Sequence, residues 1–168
     1  MPKQHYRPET FRARDSIGYL IKRSQRLMQD RIEGLFADQG VTLQQWVVMM
    51  HIRDGLALTV ADLCRELHHD SGAMTRLIDQ LEERGMIERR RNPQDRRVIE
   101  LSLTDSGNES IATLIGIVTD GLNVTLEDFS REEVKLLKSL LRKLIGRLEQ
   151  LVPGAAPIVS GATAEQKR

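Results

Sequence analysis

A mainly helical chain carrying one small β-hairpin is the fold class that the residue pattern predicts. Three observations carry it. Apolar residues recur at i, i+3, i+4 over most of the length. After Gly85 the period changes from 3.6 to 2, with Ile99, Leu101 and Leu103 alternating with Val98, Glu100 and Ser102. Helical spacing returns at Thr104 and runs to Leu151.

Each element follows from local signals. Residues 1–14 are polar and irregular and read as a mobile N-terminal arm. Ile17, Leu20, Ile21, Leu27, Met28, Ile32, Leu35 and Phe36 predict a helix over 15–39, capped by Asp15 or Ser16 and stopped by Gly40. Thr42 and Gln45 match a capping box and open a helix over about 43–54 that is apolar nearly all round, so it is expected between two packing layers. A short helix starts from a Thr59 cap, with Val60, Leu63, Cys64 and Leu67 as its stripe. Another spans about 71–84, capped by Asp70 or Ser71, with Met74, Leu77, Ile78 and Leu81 facing the core and Gly85 ending it. Ile87 begins the first strand, and Asn92-Pro93-Gln94-Asp95 is turn material before the return strand. A helix from Thr104 to about 127 follows. Ser130 and Glu133 match a second capping box, opening a strongly amphipathic helix to Leu151. Residues 153–168 have loop composition and are expected to be disordered.

Composition narrows the classes. The 168 residues fit one domain or a domain with helical extensions, and 40% hydrophobic content supplies a core. A single cysteine excludes an intrachain disulfide and suits a reducing compartment. No stretch of about 18 apolar residues exists, and the N-terminus lacks the apolar segment of a secretory signal. A soluble, cytoplasmic protein is expected. No nucleophile motif, phosphate-cradling glycine loop or convergent acid–base pair points to an enzyme.

The charge is unevenly placed. The formal net charge is +1, but from Arg84 to Arg97 six arginines face only Glu88 and Asp95. That segment is +4 and the rest of the chain −3. One small basic feature therefore projects from a neutral-to-acidic body and attracts phosphate locally.

Two short helices followed by a hairpin make a winged helix-turn-helix. With Met74, Leu77, Ile78 and Leu81 buried, the 71–84 helix exposes Gly72, Thr75, Arg76 and Asp79. Ser71, Gly72 and Thr75 near its N-terminus permit close approach to base edges, and Arg76 suits a bidentate pair with guanine. An ordinary surface helix is the alternative, since Asp79 and Glu83 share the face. The hairpin tilts the balance: Arg89, Arg90, Arg91, Arg96 and Arg97, with no lysine, crowd one turn, and guanidinium geometry matches phosphate. By strict alternation Arg89 and Arg91 share the side of Ile87, and Arg97 that of Ile99. These three are expected to emerge toward the duplex, with Asp95 close enough to pair with an arginine and hold it.

Asp95-x-Arg97, Leu103-Thr104 and Gly107, within TRLIDQLEERGMIERRRNPQDRRVIELSLTDSG, resemble the signature of the MarR family of bacterial transcriptional regulators. The order of elements over about 15–151 is similar as well. The resemblance implies a winged-helix homodimer, usually a repressor, that binds a pseudo-palindromic operator and leaves it on binding a small ligand or on oxidation. It implies that Asp95 orients Arg97 for the minor groove or backbone, and that Ser71, Thr75 and Arg76 contact bases and phosphates. Residues 15–40 and 104–152 would form the dimerisation layer, and 42–103 the DNA-binding region. The apolar excess of the first and last helices supports such a pairing.

Ligand pockets in this family lie between the dimer helices and the winged helix. Tyr19, Arg23, Trp46, Met49, Met50 and His51 are candidates for an aromatic or phenolic effector here, although each singly also reads as core or surface. Cys64 lies on an apolar stripe and reads as a core cysteine, with redox sensing as the alternative. Cys64, His68, His69 and Asp70, with His51 or His5, match no metal-ligand spacing, so neither metal nor cofactor is expected. The competing functional reading is a helical interaction module whose arginine loop binds an acidic protein. Activation in place of repression is a further alternative.

Overall fold

The computed structural model describes residues 4–152; the tail expected to be disordered lies outside them. Two compact units divide between Leu43 and Gln44.

In the first unit, α1 spans Ile17–Phe36. Ser16 is its cap: the hydroxyl accepts from the Tyr19 N–H at 3.2 Å and donates to the Ala13 carbonyl at 2.7 Å. The preceding segment departs from the expected irregular arm. It forms two 3-10 turns, Pro8–Thr10 and Ala13–Asp15. The Tyr6 hydroxyl accepts from the Ile17 N–H at 3.0 Å, and the Tyr6 and Phe11 rings meet edge to face at 5.9 Å. A tyrosine reaching eleven residues along leaves no mark in local periodicity. Gly40 adopts φ 63°, the left-handed turn that glycine tolerates without a Cβ clash. Glu33 reaches from α1 to accept from the Leu43 N–H at 3.2 Å.

In the second unit, α2 spans Leu43–Arg53, α3 Val60–Leu67 and α4 Ser71–Glu83. The strands β1, Ile87–Arg91, and β2, Ile99–Leu103, pair antiparallel, with Ile87 opposite Leu103 and Arg91 opposite Ile99. Then come α5, Asp105–Thr125, and α6, Arg131–Leu151. The core gathers Val48, Met49 and Ile52 of α2, Leu63 of α3, Met74, Ile78 and Leu81 of α4, Ile87 and Leu101 of the hairpin, and Ile111 of α5. Each helix contributes one stripe at helical spacing, and the hairpin contributes alternate residues. Gln45 is buried among them, and its amide donates to Gln80 Oε1 at 3.2 Å, linking α2 to α4. The Leu101 N–H donates to the Leu58 carbonyl at 2.7 Å, so the segment before α3 lies along the outer edge of β2.

The Leu103-Thr104-x-x-Gly107 stretch is the joint between hairpin and helix. Thr104 caps α5 by accepting from the Gly107 N–H at 3.0 Å, and its hydroxyl donates to the Gly85 carbonyl at 2.6 Å. Its own N–H donates to the Met86 carbonyl at 3.1 Å. Three bonds from one residue therefore pin α5 to the turn between α4 and β1. Thr104→Ala is expected to cost about 1–2 kcal/mol, through the lost cap and the orphaned Gly85 carbonyl. Thr104→Ser is expected to stay close to wild type, and urea unfolding of the two variants reads the difference.

α6 opens on the expected capping box: Glu133 accepts from the Ser130 N–H at 2.8 Å, and Ser130 accepts from the Glu133 N–H at 3.1 Å. Those bonds hold the Glu133 carboxyl below its ordinary pKa, the Ser130 backbone N–H contributing most. Not one of the 21 residues of α6 is buried within this chain. No helix among the described residues is long and apolar enough to cross a membrane.

Candidate nucleic-acid interface

α4 begins at an Asp70 cap, whose carboxylate accepts from the Ala73 N–H at 2.9 Å. That bond, more than the nearby Arg76 charge, holds Asp70 below the ordinary carboxylate pKa. Ser71, Gly72, Thr75 and Arg76 are all exposed on one side of the first two turns. The Thr75 hydroxyl donates to the Ser71 carbonyl at 2.8 Å, and Arg76 Nε donates to the Gly72 carbonyl at 3.3 Å. Gly72 has a local role: a Cβ there would lie 3.3 Å from the capping oxygen of Asp70. The helix therefore presents small residues, one hydroxyl and one guanidinium beside its positive dipole end, the arrangement a groove-entering helix requires.

The wing tip is organised by Asn92 and Asp95. Asn92 Oδ1 accepts from the N–H groups of Gln94, at 2.7 Å, and Asp95, at 3.0 Å. Its Nδ2 donates to Glu100 at 2.6 Å, and its backbone N–H donates to the Val98 carbonyl at 2.9 Å. Asp95 Oδ1 accepts from the backbone N–H of Arg97 at 3.0 Å. This corrects the expectation that Asp95 pairs with an arginine side chain. A short acid two residues ahead reaches the main-chain N–H more readily than the end of a long side chain, which is the Asx-turn geometry. Asp95 thus shapes the loop and leaves the Arg97 guanidinium exposed.

The five wing arginines fall into two groups. Arg89 stands opposite Leu101, on the helix-facing side as the alternation requires, but it meets acids of α4 there. It binds Asp79 at 2.6 Å and also pairs with Glu82. Those contacts, Asp79 first, raise its pKa above the ordinary arginine value against the opposing effect of burial. Arg90 points to the other face and pairs with Glu88. Both arginines are therefore paired with carboxylates of this chain, Arg89 with 27% of its side chain exposed and Arg90 with 68%. Asp79 and Glu82 escape sequence reading as partners because they lie ten and seven residues before Arg89, across a turn. Arg91, Arg96 and Arg97 are exposed and make no ion pair or side-chain hydrogen bond with another described residue. Ile99, expected to face the core, is 49% exposed because it pairs with Arg91 at the tip, past the reach of the helices.

The effector candidates are spread over both units. Tyr19 and Arg23 are exposed on α1 in the first. In the second, Trp46, Met50 and His51 are half-buried on α2, Met49 is fully buried, and His51 Nδ1–H donates to the Val47 carbonyl at 2.8 Å. Cys64 is a free thiol, half-buried against the core. His68 ends α3 in the left-handed conformation, φ 52°. Among the described residues no three His, Cys, Asp or Glu side chains converge as metal ligands.

Helix, turn, exposed second helix and arginine-tipped hairpin define a winged helix-turn-helix transcriptional regulator. A MarR-family model matches residues 39–98. The multiple antibiotic resistance protein MarR of Escherichia coli K12 is 32% identical over 106 residues, covering 62% of this chain and 74% of its own. The organic hydroperoxide resistance transcriptional regulator of Bacillus subtilis strain 168 is 28% identical over 136 residues, 81% of this chain and 91% of that one. Among solved structures, a cysteine-to-serine mutant of E. coli MarR complexed with operator DNA is similar at TM-score 0.67 and 28% identity, covering 76% of this chain and 92% of that one. This chain belongs to the MarR family. It is a transcription regulator, not an enzyme.

Proposed function

We propose that the protein is a homodimeric repressor that binds a pseudo-palindromic operator and leaves it when a small aromatic or phenolic molecule binds. The observation that carries the DNA reading is the pairing of an exposed α4 N-terminus with a wing tip whose Arg91, Arg96 and Arg97 are uncommitted. Ser71, Gly72, Thr75 and Arg76 read the major groove, and the three tip arginines meet phosphates or the minor groove. Residues 42–103 are the DNA-binding region, working on the cytoplasmic chromosome. The operator complex of the MarR relative supports this assignment. The test is a gel shift with duplex from the protein's own promoter. Binding that falls steeply with salt and weakens in Arg97→Ala supports the reading; no shift at low salt sinks it.

The dimer reading rests on residues 15–40 and 104–152. On α6, Leu136, Leu137, Leu140, Leu141, Leu148 and Leu151 are each at least 38% exposed. On α1, Leu20, Leu27 and Met28 are similarly bare. Apolar surface of this extent on long helices is the mark of a partner. A twofold dimer sets two α4 helices about 34 Å apart, one DNA turn. Leu140→Glu is expected to weaken self-association at least about 100-fold, by placing an unpaired charge in an apolar interface. Light scattering behind gel filtration reads this as a monomer. A variant that stays dimeric at micromolar concentration overturns the assignment of α6.

Trp46, Met50 and His51 of the second unit are the residues proposed for the effector: ring and thioether surface for an aromatic body, and His for its acidic group. A thermal-shift screen of aromatic acids and phenols, followed by DNA release, identifies the class.

A further inference from the structure

Asp79 lies one helical turn beyond Thr75 and Arg76, on the face of α4 assigned to DNA, and its side chain is 48% exposed. Glu82 lies three residues on and is 38% exposed. Two carboxylates on a surface offered to a polyanion repel it, and the repulsion reaches about 8–10 Å at ordinary salt. Arg89 closes on both. Its Nη2 donates to Asp79 at 2.6 Å and its Nη1 to Glu82, and only 27% of its side chain is exposed.

We propose that Arg89 is the built-in counter-ion of the recognition helix: a positioning residue that sets DNA affinity by neutralising Asp79 and Glu82 without touching the duplex. The proposal rests on the DNA-binding reading and departs from a direct phosphate contact for this arginine. With Arg89 in place the three side chains sum to −1; without it they sum to −2 on the surface that must meet phosphate. The pairing also accounts for acids on this helix face, since a recognition helix with unpaired carboxylates is at a disadvantage against every sequence.

The experiment measures equilibrium binding of the full chain to a duplex selected by the wild type from a random-sequence pool, and to an unselected duplex, at several salt concentrations. Arg89→Ala is expected to weaken binding to both duplexes about tenfold. The slope of log affinity against log salt is expected to stay within about half a unit of wild type, because no phosphate contact is lost. Adding Asp79→Asn and Glu82→Gln to Arg89→Ala is expected to restore affinity to within about threefold. A slope that drops by about 1.8, about 0.9 for each protomer of the dimer, makes Arg89 a phosphate ligand and overturns the proposal. Failure of the triple variant to recover, with circular dichroism showing it folded, assigns Arg89 a purely mechanical role and also overturns it. The Asp79→Asn, Glu82→Gln pair with Arg89 retained gives an answer even where Arg89→Ala does not fold. It is expected to bind both duplexes at least about threefold more tightly, and unchanged or weaker binding refutes the proposal. A wild type that selects no duplex rejects the DNA reading itself, a distinct result from a wild type that binds while its variants depart from this order.

Discussion

Gly107→Ala is expected to destabilise the fold by about 3 kcal/mol, at the upper end of the usual cost of overpacking. A Cβ at Gly107 would stand 2.0 Å from the Met86 carbonyl oxygen and 3.0 Å from its carbon. These are backbone atoms, so no rotamer change relieves the clash. The Met86 carbonyl also accepts from Thr104, and the adjoining Gly85 carbonyl accepts from the Thr104 hydroxyl. Moving α5 away therefore breaks the joint, and moving Met86 drags Ile87, which is 1% exposed, out of the core. For a chain of this size the melting temperature is expected to fall by roughly 10 °C. DNA binding should fail at temperatures where the wild type still binds, because the same joint sets the base of the wing. A melting temperature within about 2 °C of wild type would show that helix and turn separate cheaply, against the close approach described here.

The second large effect concerns the wing tip. Replacing Arg91, Arg96 and Arg97 together by alanine removes six arginines from the dimer and is expected to lower the slope of log affinity against log salt by about 5.4, at about 0.9 per phosphate contact. Extrapolated to about 0.1 M salt, that removes about five decades of affinity. The loss should be nearly equal for operator and unrelated duplex, since backbone contacts carry no sequence information. Arg76→Ala should differ in kind: a loss of about 1–3 kcal/mol per half-site confined to the operator, with relaxed preference at one base pair in each half-site. Fluorescence anisotropy titrations at four or five salt concentrations separate the two patterns. Equal slopes in the wild type and the triple variant would remove the tip arginines from the interface. None of the three makes an ion pair or side-chain hydrogen bond with another described residue, so stability should change little.

Much of this architecture was legible in the residues because its causes are local. Helix stripes, the Ser16, Thr59, Asp70 and Ser130 caps, and the glycine stops at Gly40 and Gly85 each depend on neighbours within about four residues. The switch to period 2 after Gly85 reported the hairpin for the same reason: it is a property of backbone geometry. The resemblance carried by Asp95, Arg97, Leu103, Thr104 and Gly107 reached the family. The charge-proximity expectation that Asp95 pairs with an arginine side chain nevertheless gives way to a bond from the Arg97 main-chain N–H.

Tertiary placement supplied what spacing cannot. Charge counting treats five wing arginines alike, yet folding sets Arg89 against Asp79 and Glu82, sets Arg90 against Glu88, and leaves Arg91, Arg96 and Arg97 exposed. Strand parity placed Arg89 on the helix side, but the identity of the groups waiting there follows from how α4 packs on β1. The need for glycine at 107 is of the same kind, since it depends on a carbonyl 21 residues earlier in the chain. Local hydrogen bonding and periodicity are short-range and leave their mark in consecutive residues. Counter-ions and close backbone approaches join distant segments, and they exist only once the core has brought those segments together.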